Sequence, residues 1–183
     1  MFYLVVDFGL NAIFLQLNPK EAQVRLLLAL RLALSLLIVL LVNLLIFFLP
    51  FNSAQDIGFS PDLRFASFIF SLTIIFQAII LSATAVFQKK LRYDLYMYSI
   101  IPGAILTLGL ILLSPIIHAP LEYILLSYVI GGGLTALIAL LLLREKTTRS
   151  VILKGVKDLL KLDLKFSKQL LIASLPLGLM LFF

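Results

Sequence analysis

Four polar side chains stand inside stretches that are otherwise almost wholly apolar: Asp7, Asn11, Arg31 and Gln77. Ionised or hydrogen-bonding groups in such surroundings persist when they face protein, water or one another, so each is a candidate for binding rather than for filler. Asp7 and Asn11 are four residues apart, which puts them on one face of a helix. They either line a polar cavity or, for Asp7, meet the headgroup region. Arg31 lies a short way into its apolar run. Its stem can snorkel back to the membrane surface, or its head can face a cavity and meet an anionic group, Asp7 included. Gln77 is near the middle of its run, where its amide either bridges two helices or joins the cavity lining.

Other kinds of chemistry lack their residues. Cysteine is absent, which removes thiolate metal sites, disulfides and cysteine nucleophiles, and a single histidine, His118, leaves no histidine-based metal cluster. There is no paired-carboxylate site, no Ser/His/Asp set and no phosphate-binding glycine loop, so the expectation is a non-enzyme without metal or cofactor. Gly131-Gly132-Gly133 and Pro102-Gly103 are expected to let helices approach closely or bend, and serve as hinge or packing candidates.

The elements that must position these groups follow from composition. The chain has 183 residues, 62% hydrophobic and only 13% charged. That is too little charge for a water-facing surface, so lipid is the expected solvent. Apolar runs near 2–17, 26–49, 63–87, 95–117 and 121–143 are long enough, or nearly so, to cross a bilayer as helices, and 170–183 opens another. Runs apolar on all sides exclude a membrane β-barrel, whose strands alternate. The expectation is an all-α, polytopic membrane bundle over 1–143, with about five complete spans and the start of a sixth. Short connections force successive helices to run antiparallel.

The net charge of +6 resides in alternate loops. Lys20 and Arg25 precede the second run, and Lys89, Lys90 and Arg92 follow the third. Arg144, Lys146, Arg149, Lys154, Lys157, Lys161, Lys165 and Lys168 follow the fifth. The intervening loops carry Asp56 and Asp62 or nothing. This is the orientation pattern of an inner-membrane protein with its basic loops in the cytoplasm and the N-terminus of this chain outside, rather than a nucleic-acid footprint. Residues 144–169 form a basic linker in which Ile152, Val156, Leu159 and Leu160 recur at helical spacing among lysines. Such a segment suits an amphipathic helix on anionic lipid, or a plain basic tether.

Three short stretches then carry a resemblance. Asp7-Phe8-Gly9-Leu10-Asn11 resembles the D-x-G-L stretch in the second helix of polysaccharide and O-antigen flippases, part of the multidrug/oligosaccharidyl-lipid/polysaccharide exporter superfamily. Phe76-Gln77-Ala78, followed by Phe87-Gln88-Lys89-Lys90-Leu91-Arg92-Tyr93, looks like the end of their fourth helix and the loop after it. Ser174-Leu175-Pro176-Leu177-Gly178 is similar to the S-x-P-x-G that opens their seventh. The resemblance implies one lobe of a two-lobe exporter fold, with a first helix and a second lobe beyond this sequence. It implies a lipid-linked oligosaccharide as substrate, moved between leaflets by alternating access for polysaccharide biosynthesis. Arg31 would hold a pyrophosphate, with Asp7, Asn11 and Gln77 as polar lining. Few arginines lie at depth, which departs from the family pattern. The alternatives are a drug or cation antiporter of the same superfamily, with Asp7 binding Na⁺ or H⁺, and a membrane assembly protein that transports nothing.

Overall fold

The computed structural model describes residues 21–52 and 57–143, together with Leu10, Asn11, Ile13 and Ile172. The expected runs 2–17 and 170–183, Asp7, and the basic linker 144–169 lie outside the described residues apart from those four. Four helices dominate: α1 (Glu21–Phe48), α2 (Pro61–Lys89), α3 (Tyr93–Leu113) and α4 (Leu121–Leu142). All four are long and apolar enough to cross a membrane, which makes this a multi-pass membrane protein whose described residues are predominantly helical. At 1.5 Å per residue, α3 and α4 are about 32 Å long, close to the hydrocarbon thickness, whereas α2 at about 43 Å must tilt or project.

The helix ends follow local chemistry. Ser60 caps α2, its Oγ accepting from the Leu63 N–H at 3.2 Å, with Pro61 opening the first turn and Asp62 and Lys89 placed to suit the helix dipole. Helix α3 stops at Leu113, short of the expected end near 117, because Pro115 has no N–H to continue the ladder. Two turns end in the same backbone motif. The Arg92 and Leu91 N–H groups reach back to the carbonyls of Phe87 and Gln88, and those of Ala119 and His118 to Ser114 and Pro115. This closure needs a left-handed residue, normally glycine, yet here Leu91 (φ 54°) and His118 (φ 48°) occupy it.

Between α1 and α2 the chain forms a two-residue antiparallel ladder, β1 (Phe51–Asn52) with β2 (Ile57–Gly58), pairing Phe51 with Gly58 and Asn52 with Ile57. Arg64, in the first turn of α2, fastens it. Its Nη2 donates to the Leu49 carbonyl at 2.7 Å and its Nε to that of Phe59 at 3.0 Å, with the Phe47 ring 6.0 Å away. A cation that sequence places at the rim of a span is thus spent on loop carbonyls.

The helices pack in the order α1, α2, α4, α3. Helix α1 lies along α2, α4 fits against both α2 and α3, and α2 and α3 scarcely touch although a short turn joins them. Ala83 and Phe87 of α2 cluster with Ala139, Leu142 and Leu143 at the end of α4 and with Leu95 and Tyr96 at the start of α3, so α2 and α4 run parallel and α3 runs against both. The interior is inverted relative to a water-soluble protein. Buried positions hold small residues, among them Ala66, Ala78, Ala83, Ala85, Ala136 and Ala139, while Leu40, Leu45, Phe47, Phe65, Ile105, Leu108 and Leu112 point outward. Only 11% of the most apolar window of α3 is buried. Small residues let helix backbones approach where lipid removes the usual hydrophobic drive to associate, and the large apolar side chains face the hydrocarbon. The buried hydroxyls need no partner on another helix. Ser82, Thr84, Ser99 and Ser127 each donate to a carbonyl one turn back on their own helix.

Candidate functional site

Arg31 is the largest fully buried side chain among the described residues. It lies four residues beyond Leu27, where the apolar span of α1 begins, hence roughly 6 Å along the helix axis. Its Nη2 donates to Asn11 Oδ1 at 2.9 Å. The chain neighbours of this pair, Leu10, Leu27 and Leu30, form an apolar cluster with Ala85, with Leu34 against it. A snorkelling arginine would leave its head exposed; this one is enclosed, and its guanidinium contacts a residue twenty positions earlier in the chain. Two of the four polar positions singled out in the sequence are therefore brought together, and Asp7 lies outside the described residues.

Gln77 stands elsewhere. Ile74 and Ala78 form the α2 face that packs on Leu32, Ile38 and Val39 of α1, whereas Gln77 shares an adjacent stripe, roughly 100° round the helix, with Phe70, Thr73 and Ile80. That stripe is one wall of a groove of about 570 Å³, with α3 as the other wall and α4 as the floor. The groove exists because α2 and α3 are held apart by α4. Its lining is uncharged and largely apolar, with four aromatic rings, Phe70, Phe76, Tyr96 and Tyr128. Phe70 and Tyr128 meet edge to face at 6.3 Å. The Gln77 amide makes no hydrogen bond to any described residue. An interhelical amide bond, one of the two sequence readings, is not present among them. Leaving an amide unmatched away from water costs about 1–3 kcal/mol.

The glycines meet distinct neighbours. A Cβ on Gly103 would overlap Thr135 Oγ1 and come within 2.6 Å of the Gly131 carbonyl, and one on Gly131 would overlap Thr107 Oγ1 and come within 2.9 Å of the Gly103 carbonyl. Thr107 Oγ1 donates to the Gly103 carbonyl at 2.9 Å and Thr135 Oγ1 to that of Gly131 at 3.0 Å. The stretches Gly103-Ala104-Ile105-Leu106-Thr107 and Gly131-Gly132-Gly133-Leu134-Thr135 thus form a reciprocal clasp on antiparallel helices, each threonine seated where the opposite glycine has no side chain. Gly133 instead supports the Phe76 ring, whose nearest atoms would lie 3.4 Å from an added Cβ. Pro102 is accommodated inside α3, which continues through it to Leu113.

Sequence reasoning passed over Asn43. Its Nδ2 donates to Ser71 Oγ at 3.1 Å and to the Val39 carbonyl at 2.7 Å, joining α1 to α2. The signal was available as a lone amide in an apolar run. The two G-x-x-L-T stretches were also visible, but nothing in either alone says that they meet.

No protein-family profile matches the chain, and neither a curated protein nor a solved structure matches it.

Proposed function

We propose that the chain is a transmembrane lobe of a flippase-type exporter, in which Arg31 holds the phosphate groups of a lipid-linked oligosaccharide as it passes between leaflets. One observation carries the reading: an arginine fully enclosed within a membrane span and oriented by an amide from a separate segment. A cation within a span carries an insertion cost that reaches about 2.5–3.5 kcal/mol at a helix centre, which an apolar residue would avoid. A guanidinium offers the planar donor fork that phosphate oxygens accept. Asn11 sets its orientation, and Asp7, four residues before Asn11, belongs by sequence to the same helix face. The motif order Asp7–Asn11, Phe76–Ala78 and Ser174–Gly178 supports the same family.

On this reading the runs near 2–17 and 170–183 are further spans, giving about five complete helices and the start of a sixth. The basic linker 144–169 leads to a second lobe, the chain lies in the cytoplasmic membrane with its basic loops inside, and transport involves no covalent chemistry. The test is binding of a pyrophosphate-linked oligosaccharide lipid to the chain in lipid nanodiscs. Arg31→Ala should lose binding and Arg31→Lys retain part of it, while Asn43→Leu, on the far part of the α1–α2 contact, should leave it unchanged. Undiminished binding by Arg31→Ala overturns the proposal. Leaflet transfer is expected to require the second lobe, so transfer by this chain alone would count against the two-lobe reading. Na⁺ binding abolished by Asp7→Asn, with Arg31→Ala indifferent, would move the reading to a cation-coupled antiporter.

A further inference from the structure

We infer that the groove between α2 and α3 is a lipid-accessible binding site for a small uncharged molecule with a flat ring bearing a carbonyl or hydroxyl group, the quinone or phenol class. This is independent of the role proposed for Arg31, which does not line the groove. Four observations select the occupant. The groove measures about 570 Å³, within the range of small-molecule sites. No acidic or basic residue lines it, so a charged ligand would enter hydrocarbon uncompensated. Aromatic rings furnish its walls, and Gly132 puts no side chain into its floor, which suits a planar ring. Lastly, the Gln77 amide stands in the wall at mid-span without a hydrogen bond to any described residue. Acyl tails cannot satisfy an amide. A carbonyl can accept from its N–H, and a hydroxyl can donate to its oxygen. The mouth is flanked by the exposed side chains of Phe70, Leu108 and Tyr128, so entry is sideways from the membrane interior.

The chain contains no tryptophan, which makes a single introduced indole a clean reporter. Tyr128→Trp puts one at the groove, and Leu40→Trp puts one on the exposed face of α1. Both proteins, in lipid nanodiscs, are titrated with a decyl-substituted benzoquinone, which quenches indole fluorescence on contact. Quenching at position 128 should saturate, while that at position 40 should rise in proportion to quinone dissolved in the lipid. Adding Gln77→Leu to the Tyr128→Trp protein should weaken the apparent affinity about tenfold. Ala104→Phe, which fills the groove from its exposed rim, should remove the saturable component without touching the amide. Equal, unsaturating quenching at both positions would mean that lipid tails or a helix occupy the groove, and would overturn the assignment. So would saturation that persists in Ala104→Phe, or an affinity indifferent to Gln77→Leu.

Discussion

The Arg31 guanidinium donates from Nη2 to Asn11 Oδ1 inside the protein rather than reaching toward the surface. Removing Asn11 withdraws the acceptor on Nη2 and leaves a buried donor of a charged group to be satisfied otherwise. Asn11→Ala should therefore destabilise the protein by about 1–3 kcal/mol, read as a lower unfolding midpoint in detergent. Asn43 is a neutral counterpart. Its bond to Ser71 joins α1 to α2, and Asn43→Leu should cost about 0.6–2 kcal/mol by the same measurement, the lower end if the leucine packs well. At Leu91 the sign reverses. A β-carbon in the left-handed region costs about 1–2 kcal/mol, and glycine recovers that minus its own entropy of about 0.5–1 kcal/mol. Leu91→Gly should thus raise the unfolding midpoint slightly, and a fall would show that the leucine side chain has an anchoring role that outweighs its backbone.

At the scale of elements, the clasp between α3 and α4 makes glycines with the same name behave oppositely. Gly131→Ala drives a methyl into Thr107 and toward the Gly103 carbonyl and should destabilise by about 1–3 kcal/mol. Gly109, on the same α3 helix but with nothing near its missing side chain, should accept alanine at no cost or with a small gain. Unfolding of the two variants side by side checks this, and equal effects would mean that α3 and α4 do not interlock as described. Most elements were legible beforehand, because long apolar runs between polar, proline-marked breaks leave a membrane chain little choice but helix. The ends of α2 could be read from Ser60-Pro61-Asp62 and Lys89. What could not be read was pairing. That α4, rather than α3, lies beside α2 depends on which faces carry small residues, and the apolar pattern of these helices is nearly uniform around their circumference. For the same reason Gln77 was grouped with Asn11 and Arg31 as cavity lining. One residue's offset along α2 sends its side chain to a different neighbour, and composition does not register that offset.

For the molecule as a whole, the inverted distribution of side chains, small within and large without, requires a hydrocarbon surround. The purified chain should lose its monodispersity when detergent is removed, as followed by size-exclusion chromatography. Because cysteine is absent, single introduced thiols report topology directly. Position 91, in the turn before α3, and position 118, in the turn after it, are separated by one crossing. Leu91→Cys and His118→Cys in sealed vesicles should react with an impermeant maleimide from opposite sides. Labelling of both from one side would remove α3 from the membrane and with it the groove that it walls.

The clasp also bears on how this protein can change over evolutionary time. Positions 103 and 135 share one small volume, and positions 107 and 131 share another, so none of the four is free to drift alone. A side chain at 103 would meet the Gly131 carbonyl at 2.6 Å whatever stands at 135, so the exchanged arrangement, threonine at 103 facing glycine at 135, should fail where the present one holds. Distant kin of this chain should therefore keep glycine at 103 and at 131 outright, while 135 and 107 vary only among side chains compact enough for the space opposite, an asymmetry that an alignment of such kin would display.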